Sequence, residues 1–181
     1  MDLVAKGPAV LGAPGPRFTD VAAADGRRYS LSSFDDREVL ALVLLGNGCP
    51  TAKACEDALI ELQATYSPRG FGLVAINPNN PYLSPPDTMA QMARRAGEKG
   101  YNFPYLKDVD ATLARAYGMT RTPQCCVLDC QRVLRYRGRI FDARDPARVQ
   151  RHDLREAVED LLGQREVRVP ETESFGCSIV W

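Results

Sequence analysis

The 181-residue chain has a single histidine, no Cys-x-x-Cys pair and no net charge. Each absence removes a class of function. His152 alone, without a Cys-x-x-Cys pair, argues against a zinc site, which usually takes near pairs of Cys and His ligands. Twenty-three Lys and Arg balance twenty-three Asp and Glu, so no global field favours nucleic acid or an anionic membrane surface. The longest apolar run, Val39 to Leu45, is far too short to span a bilayer. Met1-Asp2-Leu3-Val4-Ala5-Lys6 lacks the basic and apolar blocks of a secretory signal, so a cytoplasmic address is the default expectation.

Six cysteines are present: Cys49, Cys55, Cys125, Cys126, Cys130 and Cys177. In a reducing cytosol they are thiols at rest, and any disulfide is transient and catalytic. With 45% apolar residues the chain has core enough without a disulfide framework. Cys49 is the most informative of the six. It follows the apolar run and a Gly46-Asn47-Gly48 turn, and it precedes Pro50 and a stretch of helical periodicity. That places it where a buried strand ends and a helix begins. Unpaired N–H groups and the positive dipole end lie there, and they favour a thiolate.

Three stretches follow from composition and periodicity. Residues 1–17, rich in Gly, Ala and Pro, read as a flexible N-terminal arm. Residues 18–163 read as one α/β domain, and residues 164–181 as a C-terminal tail. Within the domain, Asp25-Gly26 signals a hairpin. Residues 39–45 and 71–76 read as buried strands around a helix from about Cys49 to Tyr66, with Cys55, Ala58, Leu59, Leu62 and Tyr66 on its inner face. The two strands are expected to be parallel with a right-handed crossover. Ser84-Pro85-Pro86-Asp87 resembles a helix start, with Ser84 as cap and Asp87 as third-position acid, and the helix runs to about Lys99. A shorter helix spans about Asp108 to Tyr117, closed by Gly118. Residues 124–129 and 132–138 form an antiparallel hairpin. A last helix covers about His152 to Leu162.

This order, with Cys49-Pro50 at the head of the first helix and Arg121-Thr122-Pro123 before the hairpin, resembles the thioredoxin-like fold: a central mixed sheet flanked by helices. Further segments resemble the peroxiredoxin-like group of the AhpC/TSA, or redoxin, family. They are Gly48-Cys49-Pro50-Thr51-Ala52-Lys53, Ala75-Ile76-Asn77-Pro78-Asn79, Asn102-Phe103-Pro104-Tyr105-Leu106 and Gly176-Cys177-Ser178-Ile179 with Trp181. The resemblance implies a thiol oxidoreductase with Cys49 as the attacking thiolate. It also implies a cis Pro123 facing that cysteine, and a Thr122 backbone free to pair with an extended peptide or mixed-disulfide partner. No bound cofactor and no metal are implied. The implied partners are a disulfide or hydroperoxide substrate and a thiol reductant such as thioredoxin or glutathione, with no nucleic acid and no membrane.

Two departures shape the expectation. The fourth position of the thioredoxin motif is Ala52, so the usual resolving cysteine is absent. The peroxiredoxin pattern Pro-x-x-x-Thr-x-x-Cys has Leu42 and Gly46 at its first and fifth positions, so the peroxide-binding threonine is absent. A single attacking thiol needs another to release the mixed disulfide. Cys55 and Cys177 are the candidates. On a continuous helix Cys55 lies about 9 Å along the axis and about 120° around it, whereas disulfide Cα atoms approach within about 7 Å. Pairing with Cys55 would therefore unwind the first turn, and Cys55 also fits the apolar stripe as a buried thiol. Cys177, on the tail, reaches Cys49 without melting a helix if Phe175 and Trp181 anchor that tail. Lys53, one turn beyond Cys49, and Arg121 are candidates for lowering the thiol's pKa, although a first-turn lysine is more often simply solvated. Cys125 and Cys126 alternate faces of a strand, Cys130 sits at a turn, and Met89 and Met92 read as core. Three functions are compatible: a thiol-disulfide oxidoreductase, a thiol-dependent hydroperoxide reductase, and a redox sensor or binding module without turnover.

Overall fold

The computed structural model describes residues 7–181. Strands β1 (Val21–Ala22) and β2 (Arg28–Tyr29) form the expected antiparallel hairpin around Asp25-Gly26. Strands β3 (Val39–Leu44), β4 (Phe71–Asn77), β5 (Tyr105–Lys107), β7 (Gln124–Leu128) and β8 (Leu134–Gly138) build one mixed sheet in the order β5-β4-β3-β7-β8. β3, β4 and β5 run parallel; β7 and β8 are antiparallel to their neighbours. A short strand, β6 (Arg121–Thr122), lies outside this sheet.

The uninterrupted apolar sequence of β3 is explained by burial on both faces. Val39, Ala41, Val43 and Leu45 join one core; Leu40, Leu42 and Leu44 join the other. The first core lies under α1 (Pro50–Lys53), α2 (Glu56–Tyr66), α3 (Met89–Lys99) and α5 (Asp153–Leu162). The second lies under α4 (Thr112–Ala116), the hairpin residue Ala23 and a turn containing Leu31 and Phe34. Cys125 and Cys126 fall into opposite cores, as period-two alternation requires. Glu56, 3% exposed, is held by Arg95 and by the Tyr101 hydroxyl at 2.7 Å, tying α2 to α3.

Both sheet edges are covered, which blocks edge-to-edge pairing. The hairpin closes the β5 edge through Ala24 N–H to Tyr105 O at 2.8 Å. The β8 edge is shared by the two ends of the chain. Gly12 and Gly15 donate to Leu134 O and Arg132 O, each at 2.8 Å, and the tail accepts Arg137 N–H at Pro170 O, 3.0 Å. Within the arm expected over residues 1–17, residues 9–15 engage their backbone in the sheet margin and with α4. Small residues without strand periodicity hid an edge-covering role. Residues 1–6 lie outside the described residues.

Two helix expectations need correction. The helix expected from Cys49 to Tyr66 is broken at Ala54 and Cys55. Cys55 N–H bonds to Ala52 O at 3.0 Å, three residues back. The Thr51 carbonyl that it would otherwise meet accepts the Cys55 thiol instead, at 3.3 Å. A side chain inserted into the helical ladder is a standard cause of such breaks. The helix expected to start at Ser84 begins instead at Met89, capped by the Thr88 hydroxyl accepting Gln91 N–H. Residues 85–87 form a separate 3₁₀ turn. Asp87 is turned inward and fully buried; it is no helix-start acid. No described helix is long and apolar enough to cross a membrane.

Candidate functional site

The site lies at the carboxyl end of β3, where the chain turns to β4 on one side and β7 lies on the other. Such switch points in open sheets leave a crevice for ligands. The Gly46-Asn47-Gly48 turn closes with Cys49 N–H to Gly46 O at 3.1 Å and delivers Cys49 as the cap of α1. Ala52 N–H points at the Cys49 sulfur, 3.4 Å away. α1 has four residues only, so this local donor, rather than a long helix dipole, is what the helix contributes.

Three neighbours complete the surroundings of the sulfur. The Thr122–Pro123 peptide bond is cis, and the Cys49 thiol donates to Thr122 O at 3.0 Å. The Thr122 hydroxyl is buried beside the sulfur without a hydrogen-bond partner. The third neighbour comes from the tail. Strand β9 (Cys177–Ser178) pairs antiparallel with β6, Thr122 opposite Cys177 and Arg121 opposite Ser178. This ladder sets the Cys177 thiol beside Cys49, close enough for each to shift the other's pKa.

The two thiols differ electrostatically. Burial pushes Cys49 up, but the polar groups around its sulfur, the Cys177 thiol first, then the Thr122 hydroxyl and the Ala52 and Cys177 N–H groups, outweigh it, and its pKa falls below the ordinary thiol value. Cys177 is pushed up to about 11 by burial, by the Cys49 sulfur beside it and by the charge there. The pair is therefore ordered: Cys49 is the more acidic thiol and Cys177 the one that keeps its proton.

Cys49, Thr122, Pro123 and Cys177 are thus brought together. Cys55 is not part of that cluster. Its thiol is spent on Thr51 O, it is 4% exposed, and burial followed by the nearby Cys49 charge pushes it up to about 12. Lys53 and Arg121 are the sequence candidates for tuning the Cys49 thiol. Both side chains are exposed, and neither is among the groups acting on the Cys49 sulfur. Phe175 and Trp181 do meet the body, under the guanidinium groups of Arg144 at 5.6 Å and Arg115 at 4.4 Å.

A buried polar cluster under the site was missed. The Asp87 carboxylate accepts Asn47 N–H at 2.7 Å, the Asn77 amide at 2.8 Å, the Asn79 amide at 3.0 Å and the Ser84 hydroxyl. The Tyr105 hydroxyl donates to Asn47 Oδ1 at 3.0 Å. Lys107, 5% exposed, donates to Asn77 Oδ1 and Asn79 O; burial lowers its pKa to about 8. Asn79 Oδ1 in turn accepts Val180 N–H at 2.9 Å. One network therefore fixes the turn before Cys49 and the tail behind Cys177. The available signal was polar residues, Asn77 and Asn79, at the end of an apolar strand. Among the described residues no cluster of His, Cys, Asp or Glu is disposed to hold a metal.

Comparison with known proteins agrees with this fold. A family model described as Redoxin matches residues 11–156. A solved hypothetical protein from Sinorhizobium meliloti 1021 is 32% identical, with 95% of this chain and 94% of that one covered and a TM-score of 0.87. An uncharacterized conserved protein from Geobacillus kaustophilus is also 32% identical, over 95% and 92% of the chains, at a TM-score of 0.89. A thiol:disulfide interchange protein of the thioredoxin family from Chlorobium tepidum TLS shares the fold at 21% identity, covering 85% and 99%, at a TM-score of 0.66. No curated protein matches the sequence. The fold is thioredoxin-like, as expected.

Proposed function

The chain belongs to the Redoxin family, and from that premise we propose that it is a thiol-disulfide oxidoreductase in which Cys49 attacks and Cys177 resolves. The observation that carries this reading is that the β6–β9 ladder sets Cys177 opposite Thr122, beside Cys49, where each thiol shifts the other's pKa. The Cys49 thiolate attacks one sulfur of a substrate disulfide, forming a mixed disulfide and releasing the other sulfur as thiolate. Cys177 then loses its proton and attacks the Cys49 sulfur, which releases the second substrate thiolate and leaves a Cys49–Cys177 disulfide. A thiol reductant such as thioredoxin or glutathione restores both thiols with two electrons.

The pKa order supports that sequence. Cys177 is held protonated partly by the Cys49 charge. That charge disappears when Cys49 enters the mixed disulfide, so the resolver becomes more acidic at the step that needs it. The test is turnover of a protein disulfide with a thiol donor, followed by mass mapping of the oxidised protein. Full activity in Cys49→Ser, or oxidation without a Cys49–Cys177 bond, rejects the reading.

A second reading, hydroperoxide reduction, has one observation in its favour. A side chain grown on Gly46 would begin 3.4 Å from the Thr122 hydroxyl and 2.7 Å from the Asn79 amide nitrogen. The Asn79 amide fills the place where the absent threonine's side chain would begin, and the Thr122 hydroxyl borders it and supplies a donor beside the sulfur. Cys49 would then be oxidised to a sulfenic acid, with loss of water or alcohol from the peroxide, and condense with Cys177. Peroxide consumption that is lost in Thr122→Val while disulfide turnover persists favours this reading; no consumption by the native protein rejects it.

A further inference from the structure

We propose that the groove beside Cys49 docks an extended peptide of a disulfide-bearing protein partner, one whose reacting cysteine follows a glycine and, one residue earlier, an aromatic ring. The chain's own tail is the resident occupant of that dock. This rests on the oxidoreductase reading and adds the substrate class that the site accepts.

The tail is bound as a peptide ligand is bound. Its pairing to β6 covers two residue pairs, and each side chain around Cys177 meets a separate feature. Phe175 lines a pocket with Thr51, Ala54, Cys55, Pro123, Ile140 and Phe141. Gly176, at φ 142°, passes so close to the cis-proline loop that a Cβ there would run into the Thr122 carbonyl and lie 3.1 Å from Pro123 Cδ. That spacing, and the left-handed φ, admit glycine. Beyond the cysteine, Ile179 is 3% exposed and enters the second core, and Asn80 N–H and Asn79 Oδ1 grip the Val180 backbone.

Cys49 is only 3% exposed beneath this segment, and the Thr122 backbone is already paired. A partner peptide cannot pair with Thr122 while Cys177 does. It must displace the tail, and it then inherits the same walls: an apolar pocket two residues before its cysteine and no room for a side chain one residue before. Strand addition to an exposed edge gives affinity through the backbone and selectivity through such pockets. The Phe175-Gly176-Cys177 run is thus an imprint of the partner.

Capture kinetics test this on the full chain carrying Cys177→Ser, which cannot resolve. Three peptides carry their cysteine as a mixed disulfide with 2-nitro-5-thiobenzoate: a copy of residues 174–180, its glycine-to-alanine version and its phenylalanine-to-alanine version. The Cys49 thiolate attacks the peptide sulfur, forms the mixed disulfide and releases the coloured aryl thiolate. The copy is expected to react about 10-fold faster than the alanine-for-glycine peptide and several-fold faster than the alanine-for-phenylalanine peptide. Equal rates for all three overturn the proposal. Adding Ile179→Ala, which loosens the tail, is expected to raise capture of the copy; an unchanged rate overturns displacement. The oxidoreductase reading is judged separately, on the native chain. If the Cys49–Cys177 bond forms there while the peptides are not distinguished, docking fails alone; if it does not form, the reading fails, and the peptide ranking still decides the dock.

Discussion

Cys49 and Cys55 stand six residues apart and are almost equally hidden, 3% and 4% exposed, yet their thiols shift in opposite directions. Burial pushes both up. What separates them is the company of the sulfur. Cys49 faces a ring of donors from three parts of the chain, whereas Cys55 donates its own proton to Thr51 O and sits among apolar side chains. The order of the thiol pKa values thus follows the polar groups around each sulfur and not its exposure. Cys125 and Cys126 make the same point more strongly: they are fully buried, and burial holds the first well above the ordinary thiol value and pushes the second up to about 12.

The contrast can be broken at several places. Cys49→Ser is expected to lower disulfide turnover by about 10³-fold or more, while Cys55→Ala and Cys126→Ala keep it within about 3-fold; steady-state assay of the three variants decides. Cys177→Ser is expected to retain one round of mixed-disulfide formation and lose repeated turnover, seen as a covalent adduct at Cys49 by mass spectrometry. Asp87→Ala leaves every sulfur in place but removes the acceptor that fixes Asn47. It should cost about 3 kcal/mol in denaturant unfolding and slow alkylation of Cys49 more than it alters Cys55.

pH gives the next effect. Iodoacetamide alkylation of Cys49 should have a midpoint below the ordinary thiol value, and Cys177→Ala should move it up, because the largest favourable donor is gone. The buried thiols show the opposite linkage. Cys55 and Cys126 are raised from 9.0 to about 12. The stability they lend is complete below the unfolded thiol range and is lost as pH rises from about 9 towards 12. Unfolding free energy measured at pH 8 and pH 10 should fall with pH, and less so in Cys126→Ala. The smallest effect is expected at Lys53→Ala, an exposed side chain whose removal should change Cys49 alkylation by less than about 2-fold.

Much of this was legible in order and period. The two-face burial of β3 is written in seven consecutive apolar residues, and the Asp25-Gly26 turn and the Arg121-Thr122-Pro123 run stand at their places in the fold. Local rules failed where a side chain was claimed by something distant. Asp87 has the right spacing from Ser84 for a capping box, but Asn47, Asn77 and Asn79 bind it more fully from other elements. The helix after Cys49 has an unbroken apolar stripe, and periodicity does not register a thiol that takes a carbonyl from its own ladder. Residues 9–15 carry no strand pattern, because they cover an edge with backbone and present few side chains to a core.

The sequence by itself determined that Cys49 stands between the end of a buried strand and the head of a helix, with Gly46 three residues before it and Ala52 three after. That much depends on neighbours along the chain, where sterics and periodicity operate. Only the tertiary structure decided which sulfur meets it. Cys177 lies 128 positions away in numbering, 177 against 49, and reaches Cys49 through two backbone pairings with β6, a glycine passing against Thr122 and a buried Ile179. Contacts across that separation depend on how the tail folds back over the sheet, and no local pattern encodes them.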